Sequence, residues 1–178
     1  MRITVLTGAG ISAESGIRTF RATDGLWEEH RIEDVATPEG FRRDPALVHR
    51  FYNQRRADAA RARPNAAHRA LARLAQRHEL TLVTQNVDDL HERGGSPEVI
   101  HMHGSLLGAL CAGCGHRWPA ALVMRPPDPC PACGQALARP DIVWFGEIPY
   151  HMERIWQAVE SAELFAAIGT SGLVYPAA

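Results

Sequence analysis

Four cysteines in the pattern Cys111-x2-Cys114-x15-Cys130-x2-Cys133 form the most chemically specific spacing in this 178-residue chain. Each C-x-x-C turn can supply two thiolates to one ion, and two such turns complete a tetrahedral zinc site with no open position, which makes the metal structural, one per chain. Gly113, Gly115 and Gly134 permit tight knuckles, and Pro129 and Pro131 stiffen the second. Redox sensing or a catalytic thiol is the competing use of the same residues. A second cluster, Thr84-Gln85-Asn86-Val87-Asp88-Asp89-Leu90-His91, puts amides and carboxylates at the end of the apolar run Leu80–Val83. It reads equally as the rim of an α/β active site or as capping for a helix near Leu90. Along the apolar Val99–Met102, alternation sends His101 and His103 to one side, and His103, directly before Gly104, is the better placed as a general base. Tyr52 and Arg55, three apart on a helical stretch, can grip a carboxylate through a phenol and a guanidinium fork. The alternative is that Tyr52 packs and Arg55 is a solvated surface charge.

These groups need elements to position them. Ile3–Leu6 is a short apolar strand that runs into Gly8-Ala9-Gly10, with Ala13 completing G-x-G-x-x-A and a helix start near Ser12. Such a turn lets a pyrophosphate approach bare backbone N–H groups, although glycines also serve ordinary turns. The ribose-binding acid of a dehydrogenase, about 20 residues further on, falls on Glu28 and Glu29 in LWEEH, which has no strand character. Ala22–His30 reads as a mobile loop. Helices are expected over Pro45–Ala62, with Leu47, Val48, Phe51 and Tyr52 in its stripe, and over Ala66–Arg77, with Leu71 and Leu74 buried and His68 on a helix face. Past Pro140, Ile142–Phe145 is strand-like, and Met152–Ala162 is amphipathic with Ile155, Trp156 and Val159 on its apolar side. Leu164–Ile168 is a second apolar strand opening into glycine, here Gly169-Thr170-Ser171-Gly172. His116–Asp128, between the knuckles, is too short for a core of its own, so metal replaces burial there. The expected fold is α/β: a Rossmann-like open parallel sheet, discontinuous over residues 1–30, 64–105 and 140–178, with a helical part at 31–63 and a zinc-binding module at 106–139.

The formal net charge of −1 and the mixed charges leave no basic footprint for nucleic acid or an anionic membrane. The segment between the knuckles carries one tryptophan, Trp118, and no basic patch, which argues against a zinc-ribbon nucleic-acid binder. No apolar run approaches the roughly 20 residues of a membrane span, so a cytoplasmic protein is expected.

Taken in order, GAGISAESGI (Gly8–Ile17), TFR (Thr19–Arg21), TQNVDDLH (Thr84–His91), HG (His103-Gly104), the four cysteines, VWFGE (Val143–Glu147) and GTS (Gly169–Ser171) resemble the sirtuin family of NAD-dependent protein lysine deacylases. The resemblance implies that Gly8, Ala9 and Gly10 face the NAD pyrophosphate, with Ser12, Glu14 and Trp27 also in the cofactor set and Phe20 and Arg21 on a loop over the nicotinamide ribose. Gln85, Asn86 and Asp88 would line the nicotinamide pocket, Gly169, Thr170 and Ser171 would hold the cofactor from the second exit, and His103 and Asn86 would be catalytic. An acylated-lysine peptide would enter as a strand between Val143, Phe145, Gly146 and Glu147 on one side and Val174 on the other. In the desuccinylase-like members a Tyr-x-x-Arg at the place of Tyr52 and Arg55 recognises the carboxylate of succinyl- or malonyl-lysine. The products implied are free lysine, nicotinamide and 2′-O-acyl-ADP-ribose, so no ribose acid of the dehydrogenase kind is required. The family continues past GTS with further strands, one carrying the loop for the adenosine half of NAD. An incomplete sheet is therefore expected at Ala178, and a catalytically silent NAD- or peptide-binding fragment is the alternative.

Overall fold

A computed structural model of the chain describes residues 1–18, 26–27, 30–172 and 174–177, with backbone alone for Leu26 and Trp27. Phe20, Arg21, the side chain of Trp27, and most of the stretch expected to be a mobile loop lie outside the described residues. β1 (Arg2–Thr7) leads into a 3-10 segment (Ala9–Ser15), then β2 (Leu26–Trp27), β3 (His30–Arg31), α1 (Ile32–Val35), α2 (Pro38–Arg43) and α3 (Pro45–Arg61). α4 (Ala66–Ala75), β4 (Glu79–Thr84), α5 (Leu90–Arg93), β5 (Ile100–His101) and β6 (Gly104–Cys111) follow. The described chain closes with β7 (Arg117–Pro119), β8 (Ala138–Ile142), α6 (Met152–Ser161) and β9 (Leu164–Ile168).

β5, β4, β1 and β9 form a wholly parallel sheet in that order. Alternation along β1 explains how both faces are covered. Ile3 and Val5 pack with Leu82 against Leu71 of α4, while Leu6 packs with Val83, Ile100 and Met102 against Ile155 of α6. Thr4, on the Leu6 face, donates its hydroxyl to the Ala158 carbonyl of α6 at 2.8 Å. Parallel strands end on one rim, so the polar segments after β1, β4, β5 and β9 are delivered to the same place.

Local signals start the helices. Thr37 caps α2 by accepting the Gly40 N–H at 2.9 Å, and Asp44 caps α3 by accepting the Leu47 N–H at 2.9 Å; each has proline at its first helical position. Asn65 and His68 form a reciprocal capping box on α4. Val48, Phe51 and Tyr52 of α3 bury against Val35, Phe41, Leu106, Ile142 and Trp144. A three-stranded antiparallel sheet, β7-β6-β8, carries the cysteines. It is docked on α3: the Asn53 amide donates to the Met124 carbonyl and accepts the Met124 N–H, both at 2.9 Å, and Arg56 Nε donates to the Leu106 carbonyl at 2.7 Å.

Five readings need correction. LWEEH contributes to a two-residue antiparallel ladder, Leu26 opposite Arg31 and Trp27 opposite His30, too short for periodicity to reveal. The strand expected at Ile142–Phe145 instead runs Ala138–Ile142, through Pro140, because β6 offers it an antiparallel partner on both sides of a register break. Met124, between the knuckles, is buried with Ala109 and Ala138, so metal does not wholly replace burial there. His68 is fully buried because its ring closes the α4 capping box. On α6 only Ile155 is buried; Trp156 is 56 % exposed, since a neighbour in sequence lies ~100° around the helix from it. Among the described residues no helix is long and apolar enough to cross a membrane.

Candidate functional site

Where the parallel strands end, the two glycine exits grip each other. The Gly8 N–H donates to the Ile168 carbonyl at 3.0 Å and the Gly10 N–H to the Gly169 carbonyl at 2.8 Å. Those two amides are therefore engaged by protein, contrary to the expectation of bare donors for a phosphate, and the segment they open is 3-10. A Cβ on Gly8 or Gly10 would lie 2.7 or 2.8 Å from the Gly169 oxygen. Gly169 itself has φ +66, and its Cβ would lie 2.3 Å from the Ile11 nitrogen. Gly169→Ala is expected to force the two turns apart and cost about 2–4 kcal/mol of stability, read as a fall in Tm; an unchanged Tm contradicts the close approach.

The turns form the floor of a cavity of about 390 Å³. Gly8, Ala9, Gly10 and Ser12 line it from the first exit, and Gly169, Thr170, Ser171 and Val174 from the second. Gln85, Asn86 and Asp88 enter from the end of β4, His103 from beyond β5, Tyr52 and Arg55 from α3, and Val143, Phe145, Gly146 and Glu147 from the stretch after β8. Glu14 is exposed and does not line the cavity. Arg18, Val87, Ile142, Trp144 and Pro149 also line it and were not singled out from sequence. Trp144 and Val87 had a signal in their places inside VWFGE and TQNVDDLH, and Ile142 opened the strand expected at Ile142–Phe145.

The amide and carboxylate cluster is tied down by hydrogen bonds. His68 Nδ1 accepts the Asn65 N–H at 3.2 Å, which in the neutral ring leaves Nε2 as the donor. Ser12 Oγ then accepts from His68 Nε2 at 3.4 Å and from Asn86 Nδ2 at 3.2 Å, and donates to Asp88 Oδ2 at 3.1 Å. Asp88 Oδ1 accepts the Leu90 N–H at 3.0 Å. Asp88 therefore holds the first amide of α5 and also lines the cavity. Burial raises the Asp88 pKa against the opposing hydrogen bonds from Leu90 and Ser12. Gln85 Nε2 donates to Thr170 Oγ1 at 2.9 Å, linking the β4 and β9 exits.

His101, in β5, and His103, just beyond it, have different environments. His101 bonds the Asn86 carbonyl through Nδ1 at 3.0 Å and Glu92 through Nε2 at 2.6 Å. Burial works against its charged form, but the Glu92 carboxylate, with the Asn86 carbonyl and Asp88, raises the pKa overall. His103 can only donate to the Gln85 carbonyl, 3.2 Å from Nδ1, so Nε2 is its basic nitrogen. Burial lowers the His103 pKa, partly opposed by that carbonyl.

Tyr52 is fully buried and Arg55 is 7 % exposed, so Arg55 is not a solvated surface charge. The Tyr52 hydroxyl accepts the Trp144 Nε1–H at 2.9 Å, and the Arg55 guanidinium lies 5.2 Å from the centre of the Phe51 ring. The amides of Val143, Phe145 and Glu147 donate to the carbonyls of His103, Ala36 and Trp144 at 2.9, 3.0 and 3.0 Å. Those amides are thereby engaged within the protein.

Away from the cavity the four sulfurs lie within 4.8 Å of one another. The Cys111–Cys133 and Cys114–Cys130 pairs are 3.7 and 3.8 Å apart. A regular tetrahedron with metal–sulfur bonds of ~2.3 Å sets sulfurs ~3.8 Å apart, so the cluster fits a structural zinc ion. Backbone amides of Cys114 and Ala132 point at Cys111 and Cys130 sulfurs, at 3.5 and 3.4 Å, which suits thiolate acceptors.

Comparison with known proteins gives a consistent match. The Sir2 family profile matches residues 8–176. A relative from Bdellovibrio bacteriovorus named NAD-dependent protein deacylase is 58% identical over 181 residues, covering 99% of this chain and 77% of that protein. A solved Sir2 homologue–NAD complex is 44% identical with a TM-score of 0.87, covering 98% of this chain and 70% of that one. Sir2Tm bound to a propionylated peptide is 31% identical with a TM-score of 0.77, over 98% and 73% of the two chains.

Proposed function

The chain belongs to the Sir2 family, and from that premise we propose that it is an NAD-dependent protein lysine deacylase acting on acidic acyl groups, succinyl and malonyl, as well as on acetyl. The acidic-acyl reading is carried by one observation: a guanidinium only 7 % exposed lines the same cavity as the Tyr52 phenol and the His103 imidazole. A buried cation there favours an anionic partner.

In the proposed reaction NAD⁺ is a co-substrate: the acyl-lysine amide oxygen captures the ribose carbon as nicotinamide leaves, and water completes transfer to give 2′-O-acyl-ADP-ribose and free lysine. The chain's own groups have separate roles. Asn86 and Asp88, held by Ser12, orient the leaving carboxamide, with Asp88 accepting its N–H. His103 Nε2 takes a proton from a ribose hydroxyl. Gly8, Ala9, Gly10, Gly169, Thr170 and Ser171 seat the cofactor backbone, with Gln85 beside them. An acylated protein segment adds as a strand beside Val143–Glu147, toward Val174. Because the Val143, Phe145 and Glu147 amides already donate within the protein, the added strand bonds mainly to carbonyls of this stretch. The Glu147 carboxylate is occupied by Arg139 at 2.7 and 2.9 Å, so it serves the wall and not the peptide.

Incubation with NAD⁺ and a succinyl-lysine peptide is expected to release nicotinamide in step with free lysine; absence of both sinks the proposal. Changing Tyr52→Phe together with Arg55→Met is expected to lower kcat/KM for the succinyl peptide about 100-fold, and for an acetyl peptide by much less. Equal losses on the two peptides would remove the carboxylate role.

A further inference from the structure

We propose that Trp144 is a positioning residue for acyl selectivity: its indole N–H fixes the direction in which the Tyr52 phenol can donate. This rests on the acidic-acyl reading of Tyr52 and Arg55. Trp144 and Tyr52 are both fully enclosed, at 2 % and 0 % exposure, and Nε1 lies 2.9 Å from the phenol oxygen. An indole N–H is a donor only, so the Tyr52 oxygen is the acceptor of this bond and its own proton must lie on another bearing. Without the indole bond the phenol O–H is no longer held to one bearing, so it is less well placed to donate to a carboxylate on the acyl chain. An acetyl group carries no such charge and is affected less.

Trp144 is itself clamped, which separates this arrangement from an incidental contact. Its backbone N–H donates to Glu147 Oε2 at 2.8 Å, and that carboxylate holds both terminal nitrogens of Arg139, at 2.7 and 2.9 Å. The Arg139 guanidinium lies 3.5 Å from the centre of the indole ring and also donates to the Ile142 carbonyl at 2.6 Å. A cation on the ring face draws electron density from the indole and strengthens its N–H as a donor. The ring therefore has one face and its backbone fixed while its polar edge meets Tyr52.

The test is a double-mutant cycle: the unmodified protein, Trp144→Phe, Tyr52→Phe and the double variant, each assayed with succinyl-lysine and acetyl-lysine peptides. Trp144→Phe is expected to lower the succinyl-to-acetyl ratio of kcat/KM about fivefold, carried by the succinyl KM. In the Tyr52→Phe background the same change should leave the ratio unmoved. Should Trp144→Phe fail to fold, an isostere with sulfur in place of the indole N–H, β-(3-benzothienyl)alanine, removes only the donor and is expected to give the same fivefold fall. An unchanged ratio, or a fall that persists without the Tyr52 hydroxyl, overturns the inference while leaving the deacylase reading intact. An unmodified protein that turns over acetyl but not succinyl peptide overturns both the inference and the acidic-acyl reading.

Discussion

His103→Ala is expected to lower kcat/KM for deacylation by about 10³-fold, the middle of the range for removing a general base. The argument rests on which nitrogen is available. A carbonyl can only accept, so the 3.2 Å contact to Gln85 fixes the proton on Nδ1 and leaves the Nε2 lone pair for a substrate hydroxyl. The pH dependence follows from the sign of the shift. A base works in its neutral form, and burial lowers the His103 pKa below the ordinary 6.5. The neutral form therefore prevails across the physiological range, and the acid limb of kcat/KM should lie below pH 6.5. His101 provides the contrast. Burial lowers its pKa, but the Glu92 carboxylate 2.6 Å away, joined by the Asn86 carbonyl and Asp88, raises it for a net rise, so its charged form persists to higher pH than in a free histidine. Its ion pair stabilises the fold fully below 6.5 and less as pH climbs through the raised value. His101→Gln should consequently leave the acid limb in place and act on stability at low pH. A profile of kcat/KM from about pH 5 to 9 decides: a limb above 6.5, or activity of His103→Ala within tenfold of the unmodified protein, removes His103 from the role of base.

What was legible in the sequence was what is local. β1, β4 and β9 are short apolar runs ending in glycine or amides, and the parallel sheet follows from them. The cysteine spacing alone implied a closed metal site, and the sulfur separations agree with it. The misses are contacts between segments far apart in the chain. The Trp144 bond to Tyr52 spans 92 positions, and no periodicity reports an indole edge meeting a phenol across such a distance. Asn53 and Arg56 of α3 drew no reading from sequence, yet they hold Met124 and Leu106 of the cysteine-bearing sheet. The glycines of the first exit were read for what they leave open to a ligand. Their tightest requirement is instead the backbone of the second exit, 2.8 Å from Gly10 nitrogen to Gly169 oxygen. Two strand ends must lie side by side in a parallel sheet before that requirement exists, and one turn read alone carries no trace of it.

Cys130→Ala is expected to abolish zinc binding, to unfold the β6–β7–β8 sheet and to reduce deacylation to background. Two stabilising sources compete here. Apart from Leu106 and Ile142, which bury in the α3 core, the apolar core of that sheet is Ala109, Met124 and Ala138 with Trp118 and Ala120 packed against it, and at ~1.5–3 kcal/mol for a buried methionine and less for each alanine the cysteine-bearing end gains only a few kcal/mol. Ordering the chain between the knuckles costs about 1–2 kcal/mol for each residue fixed. Zinc, at roughly 10–16 kcal/mol apparent binding energy in small structural sites, is the larger stabilising contribution. Cys130 is the severe choice because it is buried and its sulfur takes the Ala132 N–H at 3.4 Å. The loss should reach the cavity, since β8 starts opposite Cys111, pairs with β6 to Gly104 and then runs directly into Val143–Glu147. The parallel sheet shares none of these bonds, so amide exchange should separate the two regions. Protection is expected to vanish for amides of β6, β7 and β8 while those of β1 and β4 stay slow. Metal analysis of folded, reduced protein completes the test. Zinc-free protein that keeps its deacylase activity, or a Cys130→Ala variant with unaltered exchange in β6–β8, would show that burial and the Asn53 and Arg56 anchors suffice without the ion.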